Sequence, residues 1–237
     1  MNKAIVIGAT SGIGKELAII LAKRNNNVCV TGRRADLLHT IRADNPDQIQ
    51  ISAFDCTNED NAKKLSEMVK KLGGLDLLVF SAGTGHINEN LDFDLENETN
   101  RLNVMAFTEI VDWAFNYFQK QNYGHIAVIS SIAGLRGSRV APAYNASKAF
   151  QINYLEGLRQ KAHQLKKPII ITDIRPGFVD TAMAKGEGQF WVASKEKAAK
   201  QIYNHIKGKK QVAYVTKRWQ LIAFILKIVP RFLYKKF

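Results

Sequence analysis

Cysteine is scarce in this chain: Cys29 and Cys56 are the two among 237 residues, both in apolar, strand-like runs without ligand spacing. A disulfide framework is thereby excluded and a reducing compartment expected. Histidine is sparse too. His39, His86, His125, His163 and His205 are scattered, with no two-histidine helical pair or cysteine/histidine knuckle, so no metal site is expected. No apolar run reaches the roughly 20 residues that span a bilayer. The stretch that follows Met1-Asn2-Lys3 is too short for a signal peptide, and a cytoplasmic protein is expected. Repeats, low-complexity segments and linkers are missing. What remains is a chain with 46% apolar and 9% aromatic residues, which suits one α/β domain with a single sizeable core.

Acid is nearly missing from the C-terminal end. Between Ser194 and Phe237 there are twelve Lys/Arg and one acid, Glu196, so most of the net charge of +13 belongs to that end and the main body is close to neutral. Nucleic acid is not the expected partner, because these basic residues are interleaved with aliphatics and no recognition motif accompanies them.

What is there begins with a β-branched run, Lys3 to Ile7, leading into Gly8-Ala9-Thr10-Ser11-Gly12-Ile13-Gly14 and then a helical pattern. Strand, glycine turn and helix form a context for phosphate binding: glycines let the backbone approach a pyrophosphate, and the helix N-terminus meets its charge. The spacing is not the commoner dinucleotide fingerprint, and an ordinary βα turn is the alternative. The next strand, from Asn27, ends at Gly32-Arg33-Arg34. At that position an acid would accept the ribose hydroxyl of NAD, whereas arginine accommodates the 2′-phosphate of NADP, so NADP(H) is the expected cofactor. The alternative is a pair of arginines solvated at a helix start.

Further strands read at 49–54, ending at Asp55-Cys56; at 75–80, ending at Ser81-Ala82-Gly83; at 124–129, ending at Ser130-Ser131; at 168–173; and at 211–215. Helical patterns over 58–72, 97–121, 144–165 and 194–206 alternate with them. The pattern predicts an α/β fold, a Rossmann-like doubly wound, seven-stranded parallel sheet with helices on both faces. Ligands of such sheets lie beyond the carboxyl ends of the strands, where the candidates cluster. Asn103 falls inside the apolar pattern of its helix and needs buried partners.

Tyr144 and Lys148 stand four positions apart in a helical segment and project from the same face. An ammonium beside a phenol can favour the phenolate, which makes the pair a candidate general acid/base. A ring with a solvated amine beside it is the plainer alternative. Pro176-Gly177 breaks the backbone ahead of Thr181, and residues 182–193 read as a mobile flap with apolar contacts, Phe190 and Trp191, to offer.

With these residues assembled, the chain resembles the short-chain dehydrogenase/reductase family from Lys3 to about Val215. The likeness rests on the ordered set of the Gly8/Gly12/Gly14 turn, Asp55, Ala82-Gly83, Asn103, Ser131, Tyr144/Lys148 and Pro176-Gly177 with Thr181. The resemblance implies a catalytic tetrad of Asn103, Ser131, Tyr144 and Lys148. In it Tyr144 exchanges a proton with the substrate oxygen, Ser131 holds that oxygen, Lys148 lowers the phenol and binds the nicotinamide ribose, and Asn103 anchors a relay water. It implies cofactor contacts from Gly8, Thr10, Ser11, Gly12, Ile13, Gly14, Arg33, Arg34, Asp55, Cys56, Ala82, Gly83, Tyr144, Lys148, Pro176, Gly177, Val179 and Thr181. Ile7 and Ser81 depart from the family's usual threonine and asparagine, which alters loop support. The implied activity is NADP-dependent interconversion of a ketone or aldehyde with an alcohol, in a homodimer or homotetramer. A non-catalytic redox sensor or scaffold is the rival, and intact proton-transfer groups weigh against it. His86 could line the pocket or lie on a surface loop.

Residues 1–215 are expected to form the domain and 216–237 a basic, apolar tail. In the tail, Trp219 to Val229 is greasy and flanked by Lys217, Arg218 and Arg231. A helix lying in a membrane interface fits that composition, with a lipophilic substrate. Packing on the body or on a second subunit fits as well.

Overall fold

Seven β-branched runs become seven strands: β1 (Lys3–Ile7), β2 (Asn27–Gly32), β3 (Ile49–Ala53), β4 (Leu77–Phe80), β5 (Gly124–Ile129), β6 (Ile169–Pro176) and β7 (Val212–Val215). The structure is a computed structural model and describes residues 2–58, 60–182 and 188–235. The strands pair in parallel in the order β3-β2-β1-β4-β5-β6-β7. β4 and β5 are buried along their whole length, as strands covered on both faces must be. The chain reverses its direction of winding between β1 and β4. That is the switch point, where the loops leaving two adjacent strands part and open a crevice.

Helices cover both faces: α1 (Gly12–Ala22), α2 (Ala35–Ala43), α3 (Asn61–Leu72), α4 (Phe93–Asn100), α5 (Phe107–Gln121), α6 (Pro142–Gln164) and α7 (Lys195–Lys207). One core layer joins β1 and β2 side chains to Leu17 and Leu21 of α1, Leu38 of α2 and Ile202 of α7. The other brings Leu65 of α3, Phe107, Phe115 and Phe118 of α5 and Leu155 of α6 onto the opposite face. Burying each such side chain contributes about 1.5–3 kcal/mol. The helix ends have chemical causes. Asp60 accepts from Lys63 N–H at 2.9 Å to start α3, Gly73 ends it in a left-handed conformation, and Ser194 accepts from Lys197 N–H at 3.2 Å to start α7.

Three elements differ from the pattern read in the sequence. The helix expected over 97–121 starts earlier, with Asp92 capping α4, and is interrupted by a π-helical turn, Arg101–Ala106, before α5. Asn103 sits in that turn, and its amide is bound on two sides by the backbone of Thr84, which holds the extra residue in place. The helix carrying Tyr144 starts at Pro142, whose missing N–H costs nothing in a first turn. β6 runs on to Pro176 because β7 pairs with it to its last residue. The tail folds as two short helices, α8 (Trp219–Ile228) and α9 (Arg231–Tyr234). No helix among the described residues is long and apolar enough to cross a membrane.

Candidate active site

The glycine turn is packed so closely that side chains are excluded from it. A Cβ on Gly8, where φ is +83°, would lie 2.5 Å from the Ala82 nitrogen, and one on Gly14 would lie 2.2 Å from the Gly8 oxygen. The β1 and β4 loops are thereby pressed together at the switch point, with Ser81 N–H donating to Ile7 O at 2.8 Å. Ile13, in the first turn of α1, packs against the core, and Thr181 Cγ2 lies against the open side of Gly12. Val179 forms a bridge with Ala193, so the two ends of the expected flap are joined at its base. Residues 183–187 of that flap lie outside the described residues.

The two arginines after β2 divide their work. Arg34 donates to Thr10 Oγ1 at 2.8 Å and to Ser11 Oγ at 3.2 Å, and so lies over the glycine turn. Arg33 is 70% exposed and its guanidinium lies 3.9 Å from Asp55 Oδ2. Burial by itself would raise the Asp55 carboxyl. The N–H and hydroxyl of Thr57, with the Arg33 charge, outweigh it and hold the group below its ordinary range. Cys56 offers little to a ligand through its thiol, which packs toward the core and is pushed up to about 11 by burial and then by the Asp55 charge. The Cys29 thiol inside β2 is pushed up to about 12, burial again being the main cause. Both cysteines are free thiols. Pro176 is buried in β6, and Gly177 faces the Trp219 indole of the tail.

Ser131, Tyr144, Lys148 and Asn103 come together at the ends of β5 and β4 and the start of α6. Ser131 Oγ caps a short 3-10 turn over 132–135 by accepting from Ala133 N–H at 3.1 Å, and it lies beside the Tyr144 phenol. Asn145 Nδ2 ties that turn to α6 by donating to Ala133 O and Arg136 O. Asn103 is fully buried with its amide satisfied: Oδ1 accepts from Thr84 N–H at 3.0 Å, while Nδ2 donates to Thr84 O and Ser147 Oγ. His86 lies 3.0 Å from Glu98 Oε2 and is turned toward α4.

The expected lowering of the phenol by the ammonium is not what this arrangement produces. Burial raises the Tyr144 phenol above its ordinary value, and the Ser131 hydroxyl beside it offsets part of that. The Lys148 ammonium lies 5.8 Å from the Tyr144 ring centre and donates to Ile129 O and Gln151 Oε1, both at 3.1 Å. Burial brings Lys148 down to about 8, with the Asp173 charge opposing. Desolvation pushes each group toward its neutral form, since neither charge is fully paired.

Gln151 was not among the residues read from the sequence. It is fully buried, accepts from Lys148 and donates through Nε2 to Asn103 O at 2.9 Å, so it bridges the π-helical turn to the ammonium. An amide on the apolar face of α6, one turn beyond Lys148, is the signal that could have found it. Gln151→Leu removes an acceptor from a buried cation, worth about 1.5–3 kcal/mol. The expected result is about a tenfold loss of kcat/KM for any accepted substrate, with its alkaline limb at lower pH because Lys148 sheds its proton more readily. An unchanged pH–rate profile would remove Gln151 from this role.

The model of the short chain dehydrogenase family matches residues 2–191. This chain belongs to that family. A "Dehydrogenase/reductase SDR family protein 7-like" of Dictyostelium discoideum is 31% identical over 194 residues, covering 76% of this chain and 60% of that protein. An uncharacterized oxidoreductase of Staphylococcus aureus is 28% identical over 184 residues, covering 76% of this chain and 79% of its own. Among solved structures, a short-chain dehydrogenase from Burkholderia cenocepacia in complex with NADP superposes with a TM-score of 0.84 at 20% identity, over 99% of this chain and 96% of that one. One from Streptomyces avermitilis gives 0.83 at 21% identity, over 95% and 91%. At such identities the structural likeness speaks to the fold, which here is the Rossmann-like doubly wound sheet of the short-chain dehydrogenases. Among the described residues no group of three or more His, Cys, Asp or Glu could hold a metal ion.

Proposed function

We propose that this short-chain dehydrogenase transfers hydride between NADP(H) and a ketone or aldehyde, or the matching alcohol. The observation that carries the reading is the Ser131 hydroxyl set beside the Tyr144 phenol, with the buried Lys148 ammonium 5.8 Å from the ring centre and one helical turn beyond. A carbonyl reduced by hydride becomes an alkoxide, which needs a proton and a nearby donor to hold its charge. Tyr144 supplies the proton at Oη, and Ser131 Oγ holds the substrate oxygen beside it. Lys148 carries positive charge behind the phenol and offers its ammonium to the ribose, while Asn103 and Gln151 keep the backbone behind it in place.

The residues present suit the cofactor. The Gly8/Gly14 cradle brings side-chain-free backbone to the N-terminus of α1, and Asp55 and Ala82-Gly83 would border it as adenine and ribose contacts. Bound NADP(H) would supply the hydride. Preference for NADP rests on Arg34, placed over Thr10 and Ser11, with Arg33 at the rim. Arg34→Ala should raise KM for NADPH about 10- to 100-fold, the value of a charge-assisted bond to phosphate, with KM for NADH nearly unchanged. Arg33→Ala should do the same to a smaller degree. Steady-state kinetics with both cofactors decide it, and an unaltered NADPH/NADH ratio in both variants would mean that the 2′-phosphate is read elsewhere.

We place the activity in the cytoplasm at or near a membrane surface, on a lipophilic carbonyl compound. Phe178, Phe190, Trp191 and Trp219 form a connected aromatic cluster between the flap and the tail, and the first three are partly open to solvent. The oligomer we favour is a homodimer or homotetramer paired through α5 and α6, whose Trp113–Tyr117 and Phe150–Tyr154 ring stacks line the outer helices.

A further inference from the structure

The tail helix α8 is apolar on two opposite sides, and the body uses one of them. Trp219 and Ala223, a turn apart, are buried; the Trp219 indole lies where any side chain on Gly177 would be, and its ring meets Phe178 edge-on at 5.4 Å. The other side carries Leu221, Phe224, Ile225 and Ile228, spaced i, i+3, i+4 and i+7, all exposed. Phe232 and Leu233 of α9 are exposed beyond them. Four large apolar side chains in one helical stripe, open to solvent, are not explained by packing on the body.

Charge says what covers that stripe. From Thr216 to the C-terminus there are six Lys/Arg and no acid, with Lys217 and Arg218 before α8, Lys227 within it and Arg231 and Lys235 after. A second copy meeting this surface about a two-fold axis would bring those cations onto one another, which is unfavourable. A bilayer with acidic headgroups meets both demands. Apolar side chains enter the acyl boundary while the basic side chains stay at headgroup level.

The stripe is also fastened to the turn that follows Ser131. Arg136, at the end of that turn, donates through Nε to Leu226 O at 2.7 Å, in the last turn of α8, and through its terminal nitrogen to Val229 O, just past the helix end. Its guanidinium also lies 5.0 Å from the Tyr234 ring centre, and Tyr234 Oη donates to Gly137 O at 2.7 Å. The same turn is bound to α6 by Asn145, next to Tyr144. The tail is therefore not a loose extension.

We propose that the outer face of α8 and α9 docks on an anionic lipid surface and, through the Arg136 clasp, holds the substrate mouth of the site against it. The proposal deepens the reading of a lipophilic substrate but is tested without any substrate. The full chain is sedimented with vesicles of phosphatidylcholine alone and of phosphatidylcholine with roughly one-third phosphatidylglycerol, at low ionic strength and at about 0.5 M salt. Expected is binding to the anionic vesicles that falls with salt, with little on neutral ones. Phe224→Glu and, separately, Arg231→Glu should each lower the partition coefficient about tenfold or more while NADPH binding and thermal midpoint stay at the parent value. Equal binding to both vesicle types, no binding to either, or unchanged partition in both variants overturns the proposal. So does a parent chain that ignores vesicles but forms an oligomer which Phe224→Glu dissociates, since the stripe is then an interface between copies. Loss of turnover in Tyr144→Phe has no bearing on these outcomes, so the two readings fail separately.

Discussion

Tyr144→Phe lowers turnover by about three orders of magnitude, the middle of the range for losing a positioned general acid, while NADPH binding stays within about twofold of the parent. The expectation follows from how the ring is held. A Cβ on Gly85 would lie 2.4 Å from the Tyr144 ring, so the ring fills a slot that phenylalanine fills equally well. What disappears is the hydroxyl at the end of that slot, beside Ser131. Steady-state rates on a panel of carbonyl compounds, read by NADPH absorbance, and a fluorescence titration of NADPH check the two halves. Turnover within about tenfold of the parent would show that the proton comes from another group. If NADPH binding fell as well, the hydroxyl would be serving the nucleotide pocket and not proton transfer alone.

Asp173→Ala is expected to cost about 3–5 kcal/mol of stability, the range for breaking a buried ion pair by removing one partner. Asp173 is fully buried on β6. It accepts from Arg175 Nε at 2.7 Å and from the same guanidinium's terminal nitrogen at 2.6 Å, and from the Ser130 hydroxyl. Truncating it leaves the Arg175 guanidinium, itself nearly buried, with Tyr214 Oη at 3.3 Å as a neutral partner. For a chain of this size the thermal midpoint should fall by about 10 °C. Asp173→Asn keeps a hydrogen-bond acceptor and should lose less. Calorimetry of the three proteins measures the difference, and a midpoint within about 2 °C of the parent for Asp173→Ala would mean that the pair contributes almost nothing net. The same carboxylate faces Lys148 electrostatically and favours its charged form, so the pair also bears on the site above it.

The sheet was readable because its signals are local. A glycine turn, an apolar strand run and an amphipathic stretch each announce themselves within a dozen residues, and seven strand runs alternating with helical ones leave few topologies open. Gly8, Gly14, Ser131, Tyr144 and Lys148 stood at strand ends or helix starts, and the family pattern set them in order. Misread features had distant causes. The π-helical turn at 101–106 is held by Thr84, nineteen residues before Asn103. Gln151 acquires its role from a carbonyl forty-eight residues away. Neither the partner of Asp173 nor the division of work between Arg33 and Arg34 shows in any periodicity, because each depends on which side chain a neighbouring strand or loop brings near.

Composition and spacing by themselves determined that this chain makes a parallel α/β sheet with a glycine turn, a Ser/Tyr/Lys set and a basic tail, and the order of those motifs resembled the short-chain dehydrogenases. Periodic burial and turn chemistry are properties of short windows, and the order of motifs survives without coordinates. Folding in three dimensions decided the rest: that Lys148 donates to Gln151 and Ile129 O and not to the phenol, that Arg34 lies over the glycine turn, and that α8 spends one apolar side on Gly177 and Phe178 while showing the other to solvent. A side chain's charge state and the face that a helix presents are set by what surrounds them, and those surroundings are assembled from residues far apart in the chain.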